Sequence, residues 1–224
     1  MCGRYVRTTP IERFATLFHA QGHPESWASY NIAPSNHVLV ARNATQGGRE
    51  MTTMKWGLVP AWSAEPKTGY STINARAETV AQKPAFRSAF RHRRCLIAAD
   101  GFYEWHVEAD GHKQPYFIYL EDHAPFAFAG LWEHWERDGK SLDSCSIIVT
   151  TANDRMRPIH DRMPVILAPE AFDAWMDPTV SQPEVLQPLL APYPAESMRL
   201  HPVTTAVNNP RHEGPTLIEA VLPT

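Results

Sequence analysis

The chain has 224 residues, 43% of them hydrophobic and 20% charged, enough to bury one substantial core and unlike a disordered or fibrous protein. Its formal charge of −3 hides a division: residues 1–100 carry 13 Lys+Arg against 6 Asp+Glu (net +7), and residues 101–224 carry 8 against 18 (net −10). Three widely spaced cysteines, Cys2, Cys95 and Cys145, argue against a disulfide framework or Cys-rich zinc site, and no run approaches the roughly eighteen apolar residues of a membrane span.

In chain order, "TTPIERFATLF" predicts a first helix, with Thr9 as cap, Pro10 in the first turn, Glu12 completing a capping box, and Ile11, Phe14, Ala15 and Phe18 on one face. A second helical region is expected through "ARAETVAQKPAFRSAFRHRR", broken or kinked at Pro84. "PEAFDAWM" and "SQPEVLQPLLA" predict two further short helices. Strands dominate the rest. Gly47-Gly48, Asp110-Gly111 and Asp138-Gly139 each separate runs able to pair as hairpins. The β-rich runs are "CLIAADGFYEW", "QPYFIYLED", "PFAFAGLWEHW", "CSIIVTTA" and "MPVILA". The expected fold is α+β, a single domain over residues 1–224 with a strongly bent, barrel-like, mainly antiparallel sheet flanked by short helices.

Four places carry reactive groups. In "MCGRY", Cys2 is an ordinary thiol if Met1 stays; if Met1 is removed, it presents an α-amine and a thiol on adjacent carbons. That pair can trap an aldehyde, the amine as a Schiff base and the sulfur closing a five-membered thiazolidine. Arg4 lies close enough in sequence to hold an anion beside it. In "INARAET", Asn74 and Arg76 face the same way if extended, or serve as a helix cap and a surface charge. In "ADGFYEW", Phe102 and Glu104 share one strand face, Tyr103 and Trp105 the other. An inward Glu104 is a desolvated carboxylate suited to proton transfer; an outward one is merely solvated. In "RPIHDRMP", His160 can act as acid or base and Arg162 can bind phosphate, or both are plain loop residues. Arginine outnumbers lysine 16 to 5, which favours bidentate phosphate contacts, unless the two oppositely charged halves simply neutralise each other.

Taken together and in order, "MCGRY", "YNIAPS", "MKWGLVPAW", "INARAET", "RCLIAADGFYEW", "QPYFIY", "FAGLWE", "SIIVTTAN", "IHDRMPVIL" and "HPVTTAVNN" resemble the SRAP family, for SOS response-associated peptidase, over nearly the whole chain. The resemblance implies a Cys2 nucleophile that crosslinks to the ring-opened aldehyde of an abasic site in single-stranded DNA after loss of Met1. It implies that Asn74 positions the cysteine and the sugar or phosphate, Glu104 acts as acid and base, and His160 helps open the deoxyribose ring. Arg4, Arg76 and Arg162 become the implied phosphate ligands, and Pro34, Trp62 and Trp105 a wall for stacking bases. No cofactor or metal is implied, the expected location is cytoplasmic or on the nucleoid, and a monomer suffices. The other readings are a thiol peptidase with an N-terminal cysteine nucleophile, a lyase side reaction, and a non-covalent single-strand binding module that would tolerate Cys2→Ala.

Overall fold

A computed structural model describes residues 2–67 and 70–221. Its strands are β1 Tyr5–Arg7, β2 Ala20–Gln21, β3 Ser29–Ile32, β4 His37–Asn43, β5 Arg49–Trp56, β6 Asn74–Arg76, β7 Arg94–Ala99, β8 Gly101–Val107, β9 Lys113–Leu120, β10 Phe126–Arg137, β11 Lys140–Thr151, β12 Arg162–Pro164, β13 Ile166–Leu167 and β14 Met198–Pro202. The α-helices are α1 Ile11–Leu17, α2 Arg87–His92, α3 Phe172–Met176 and α4 Pro183–Leu186.

The three Gly-containing turns join β4 to β5, β8 to β9 and β10 to β11, as their sequences predict. Neighbouring strands run β5, β4, β7, β10, β11. A parallel pairing of β11 with β5, Ser144 opposite Lys55 and Cys145 opposite Trp56, returns the last to the first and closes a five-stranded barrel. Closure removes the exposed edges that an open sheet would leave. A second sheet, ordered β14-β9-β8-β1-β3, packs beside it.

Alternation along the barrel strands separates two cores. Leu39, Ala41, Leu96, Ala98, Ala127 and Ala129 belong to the core that also holds Phe14, Phe18, Phe90 and Trp175 of the helices. The opposite face, with Val38, Val40, Ile97, Phe128, Cys145 and Ile147, shares its core with Cys2, Tyr5, Phe102 and Ile118 of the second sheet. The N-terminal strand β1 thus belongs to the second sheet, with Tyr5 turned into the core that this sheet shares with the barrel. Gly101 makes the join between β7 and β8 possible: a Cβ there would lie 2.4 Å from the Phe117 ring and 2.8 Å from the Ile118 carbonyl oxygen.

Two local expectations are corrected. No side chain caps α1: the Thr9 hydroxyl bonds Asp100 Oδ1 at 2.6 Å instead, and Pro10 takes the cap position. Asp100 also accepts from the backbone N–H groups of Thr8 and Thr9, so tertiary pairing outcompetes the local box. The second helical region yields only α2, because Asn74–Arg76 form β6 and residues 77–86, Pro84 among them, form successive turns before the helix begins at Arg87. The two later short helices form as expected, each joined to a 3-10 turn, Pro169–Ala171 before α3 and Gln187–Leu190 after α4.

Candidate active site and nucleic-acid interface

Cys2 is fully buried in the core shared by the two sheets. Its backbone carbonyl accepts a 2.8 Å hydrogen bond from Asn74 Nδ2. Asn74 can reach it because β6 is extended and pairs in parallel with β11, Asn74 opposite Ile147 and Arg76 opposite Val149. Ala75 faces the helix-covered core, so Asn74 and Arg76 both point the other way, one buried and one exposed. The expected extended reading of this segment therefore holds over the cap reading. Asn74 Oδ1 is buried with no hydrogen-bond partner, an acceptor held in reserve beside Cys2.

Glu104 takes the inward orientation. It is 2% exposed, on the same face of β8 as Phe102, while Tyr103 and Trp105 pack in a separate cluster on the other side. Burial, and after it the negative charge of Glu104, pushes the Cys2 thiol well up; the Arg4 backbone N–H acts in the opposite sense. The resting sulfur is thus a protonated thiol next to a carboxylate. Met1, whose removal would expose the α-amine, lies outside the described residues.

His160 and Arg162 sit where β12 meets the end of β11, Arg162 opposite Thr151. His160 Nδ1 is 3.0 Å from the Arg162 backbone nitrogen and 2.8 Å from Asp161 Oδ1. One ring nitrogen cannot do both jobs at once: neutral, it accepts from the backbone; protonated, it donates to Asp161. The Arg162 guanidinium pairs with Glu78. Burial pushes the Glu78 carboxyl up, yet its own backbone N–H, the Arg162 bond and the charges of Arg162 and Arg76 outweigh this and leave it lowered. Two cations, Arg76 and Arg162, thus act on the one carboxylate of Glu78.

Arg4 Nη1 donates to Asn31 Oδ1 at 2.8 Å and to the Val207 carbonyl at 2.7 Å. Asn31, 1% exposed, sends its own amide to the carbonyls of Asn209 and His212 at 3.0 and 2.9 Å. This network fixes the segment around Thr205–Asn208, and Asn208 Oδ1 accepts from Trp105 Nε1 at 2.7 Å. Pro34 lies in the turn from β3 to β4, and the Trp62 indole is 71% exposed. Trp62 is anchored through its neighbour Ser63, whose carbonyl accepts from Trp135 Nε1 at 2.8 Å, toward the beginning of β11. The structure thus joins Cys2, Asn74 and Glu104 in one cluster and groups Arg76 with Arg162. Trp62 stands apart.

Sequence reasoning missed Asn31, Glu78 and Asn208. The segments "YNIAPS" and "HPVTTAVNN" contain two of them, but only tertiary pairing shows what their asparagines hold. Among the described residues no group of His, Cys, Asp and Glu could hold a metal ion, and no helix is long and apolar enough to cross a membrane.

Comparison with known proteins follows the same outline. The abasic site processing protein YoqW of Bacillus subtilis (strain 168) is 42% identical over 98% of this chain and 100% of its own length. YedK of Escherichia coli (strain K12), also named an abasic site processing protein, is 32% identical over 99% and 100%. HMCES of Xenopus tropicalis, of the same description, is 34% identical over 87% of this chain and 66% of its own. A crystal structure of a protein from Bacteroides thetaiotaomicron superposes with a TM-score of 0.87 at 25% identity, covering 99% of this chain and 100% of that one. With the family model for SOS response associated peptidase matching residues 1–210, the chain belongs to the SRAP family.

Proposed function

We propose that this protein processes abasic sites in single-stranded DNA by forming a covalent thiazolidine through Cys2 after loss of Met1. The observation that carries the reading is the Asn74 clamp on the Cys2 carbonyl, with Glu104 buried close enough to raise the Cys2 thiol. The names of the full-length relatives point to the same substrate class.

The chemistry balances as a condensation. The α-amine adds to the C1′ aldehyde of the ring-opened sugar, and the carbinolamine loses water to give an imine. Sulfur then adds to the imine carbon, and the thiol proton ends on the ring nitrogen, so the product is protein plus DNA less one water. Glu104 accepts the proton from sulfur and returns it to nitrogen, which is why a carboxylate beside a raised thiol is useful. Asn74 holds the residue 2 backbone while its unpartnered Oδ1 accepts from the α-amine or a sugar hydroxyl. His160, at the end of β11, donates a proton to the ring oxygen as the sugar opens. Arg76 and Arg162 hold phosphates, Arg4 steadies the segment that positions Trp105, and Trp105, Pro34 and Trp62 offer apolar faces to bases.

The test is a denaturing gel of the protein with a single-stranded oligonucleotide bearing one abasic site. A shifted band with the native chain, and none with Cys2→Ala, is expected; a band of equal intensity with Cys2→Ala overturns the assignment of the nucleophile.

A further inference from the structure

A cleft of about 420 Å³ opens between β3 and β4, lined by Arg7, Glu25, Ser26, Trp27, Asn36 and His37 among others. Neither the condensation chemistry nor the stacking wall described above uses it. Three features set it apart from an ordinary surface groove.

The first is Arg7. Its side chain is buried, 3% exposed, and among the described residues it forms no ion pair. Its N–H groups go to neutral acceptors: Ser26 Oγ at 3.0 Å, the Thr9 carbonyl at 3.5 Å and the Trp27 carbonyl. Asp100, the carboxylate that acts on it, spends its oxygens on Thr8 and Thr9. A desolvated cation at the back of a cleft projects a field that water only weakly screens. The second is Ser26, whose oxygen accepts from Arg7 and whose own proton is therefore left to donate, made more acidic by the guanidinium behind it. The third is Trp27, whose indole is 78% exposed at the rim, the most exposed large hydrophobic side chain described.

We propose that this cleft is a nucleotide subsite for the strand that reaches Cys2, with one base stacked on Trp27 and one backbone phosphate held by the Ser26 hydroxyl in the field of Arg7. The inference rests on the abasic-site reading above, and continuity supports it. Pro34, placed on the path of the strand, lies in the turn that joins β3 to β4, and the next residues, Asn36 and His37, line the cleft. Cys2 and Arg7 are five residues apart in the chain, at most about 18 Å, so the cleft lies within a few nucleotides of the lesion. Glu25 at the rim, Asp100 acting on Arg7 and Glu213 bonded to Ser29 oppose an anion, and removal of Glu25, the one at the rim, gives a variant of opposite sign.

The experiment measures affinity by fluorescence anisotropy in the full-length chain carrying Cys2→Ala, which keeps binding at equilibrium. Two strands are compared, one with a single nucleotide on either side of the abasic site and one extended by several more on both sides. Extension should tighten binding, and Trp27→Ala should cost about tenfold on the extended strand. Trp27→Phe should keep most of that affinity, Ser26→Ala should lose about threefold and Glu25→Gln should gain about twofold. Losses that are equal on the two strands, or parental affinity for both Trp27→Ala and Ser26→Ala, overturn the proposal. Covalent capture of the short strand by the chain with Cys2 reports the underlying reading separately, so a failed subsite and a failed crosslink are told apart.

Discussion

Two stretches of β11 show how the same barrel treats polar groups in opposite ways. Near its start, Asp143 accepts from Arg42 at 2.8 Å and lies 2.6 Å from His134 Nδ1, while Arg42 also reaches Glu50 at 2.7 Å and lies 4.7 Å over the Trp132 ring. Charges there neutralise one another. Towards its end, beside Ile147 to Thr151, Asn74 keeps an unpartnered oxygen, Arg76 is exposed, and a single Glu78 faces two arginines. A fully satisfied network fixes structure, and a partly satisfied one holds capacity for something that is not protein. The polar groups at the first end are paired with one another, whereas the second leaves Asn74 Oδ1 without a hydrogen bond and Arg76 exposed.

Substitutions should separate the two ends. The largest effect is expected from Asn74→Ala, which frees the Cys2 carbonyl and removes the reserved acceptor; crosslinking should slow about 100-fold, in keeping with loss of a positioning group. A single-turnover time course on abasic single-stranded DNA reads this, and a slowing under threefold would place the amide outside the reaction. Arg42→Ala at the other end should cost about 2 kcal/mol in urea denaturation, because it strips charge-assisted bonds from two carboxylates, while leaving the crosslinking rate within twofold. A large fall in rate with unchanged stability would erase the distinction between the ends.

Smaller effects sharpen it. Arg76→Ala should weaken strand binding and reduce the slope of log affinity against log salt by about 0.7, one phosphate's share. Arg162→Ala should change the slope less, since Glu78 already compensates that charge. Glu104→Gln removes the second of the two causes that raise the Cys2 thiol, so labelling of Cys2 by iodoacetamide should move to lower pH. The smallest effect belongs to His134, whose pKa is raised first by its bond to Asp143. A raised folded-state pKa stabilises below the unfolded value of about 6.5 and ceases to do so as pH rises through the folded one. The pair is about half exposed on the histidine side and screened, so His134→Gln should remove about 0.5 kcal/mol at acidic pH and almost nothing in alkali.

Much of this architecture was legible from sequence because it rests on local signals. The three Gly-containing turns and the alternating runs beside them specify hairpins through backbone chemistry alone, and β4 to β5, β8 to β9 and β10 to β11 followed. The two-faced reading of "GFYEW" likewise holds, with Glu104 turned inward. What escaped depended on partners distant in the chain. Thr9 has every local qualification for a cap and spends its hydroxyl on Asp100, 91 residues away. The parallel seam between β5 and β11 that closes the barrel leaves no local mark, nor does the contact of Asn208 with Trp105 across 103 residues. Arg162 reads as a free phosphate ligand in "IHDRMP", and only the fold reveals Glu78 beside it.

The central claim is that the groups left incomplete around Cys2 are completed by an abasic sugar. Intact mass of the protein after incubation with a single-stranded oligonucleotide carrying one abasic site tests it most directly. The account predicts a species at the mass of the chain lacking Met1 plus that of the oligonucleotide less one water, absent with Cys2→Ala. Processed protein that stays at its own mass under conditions where it binds the strand would contradict it.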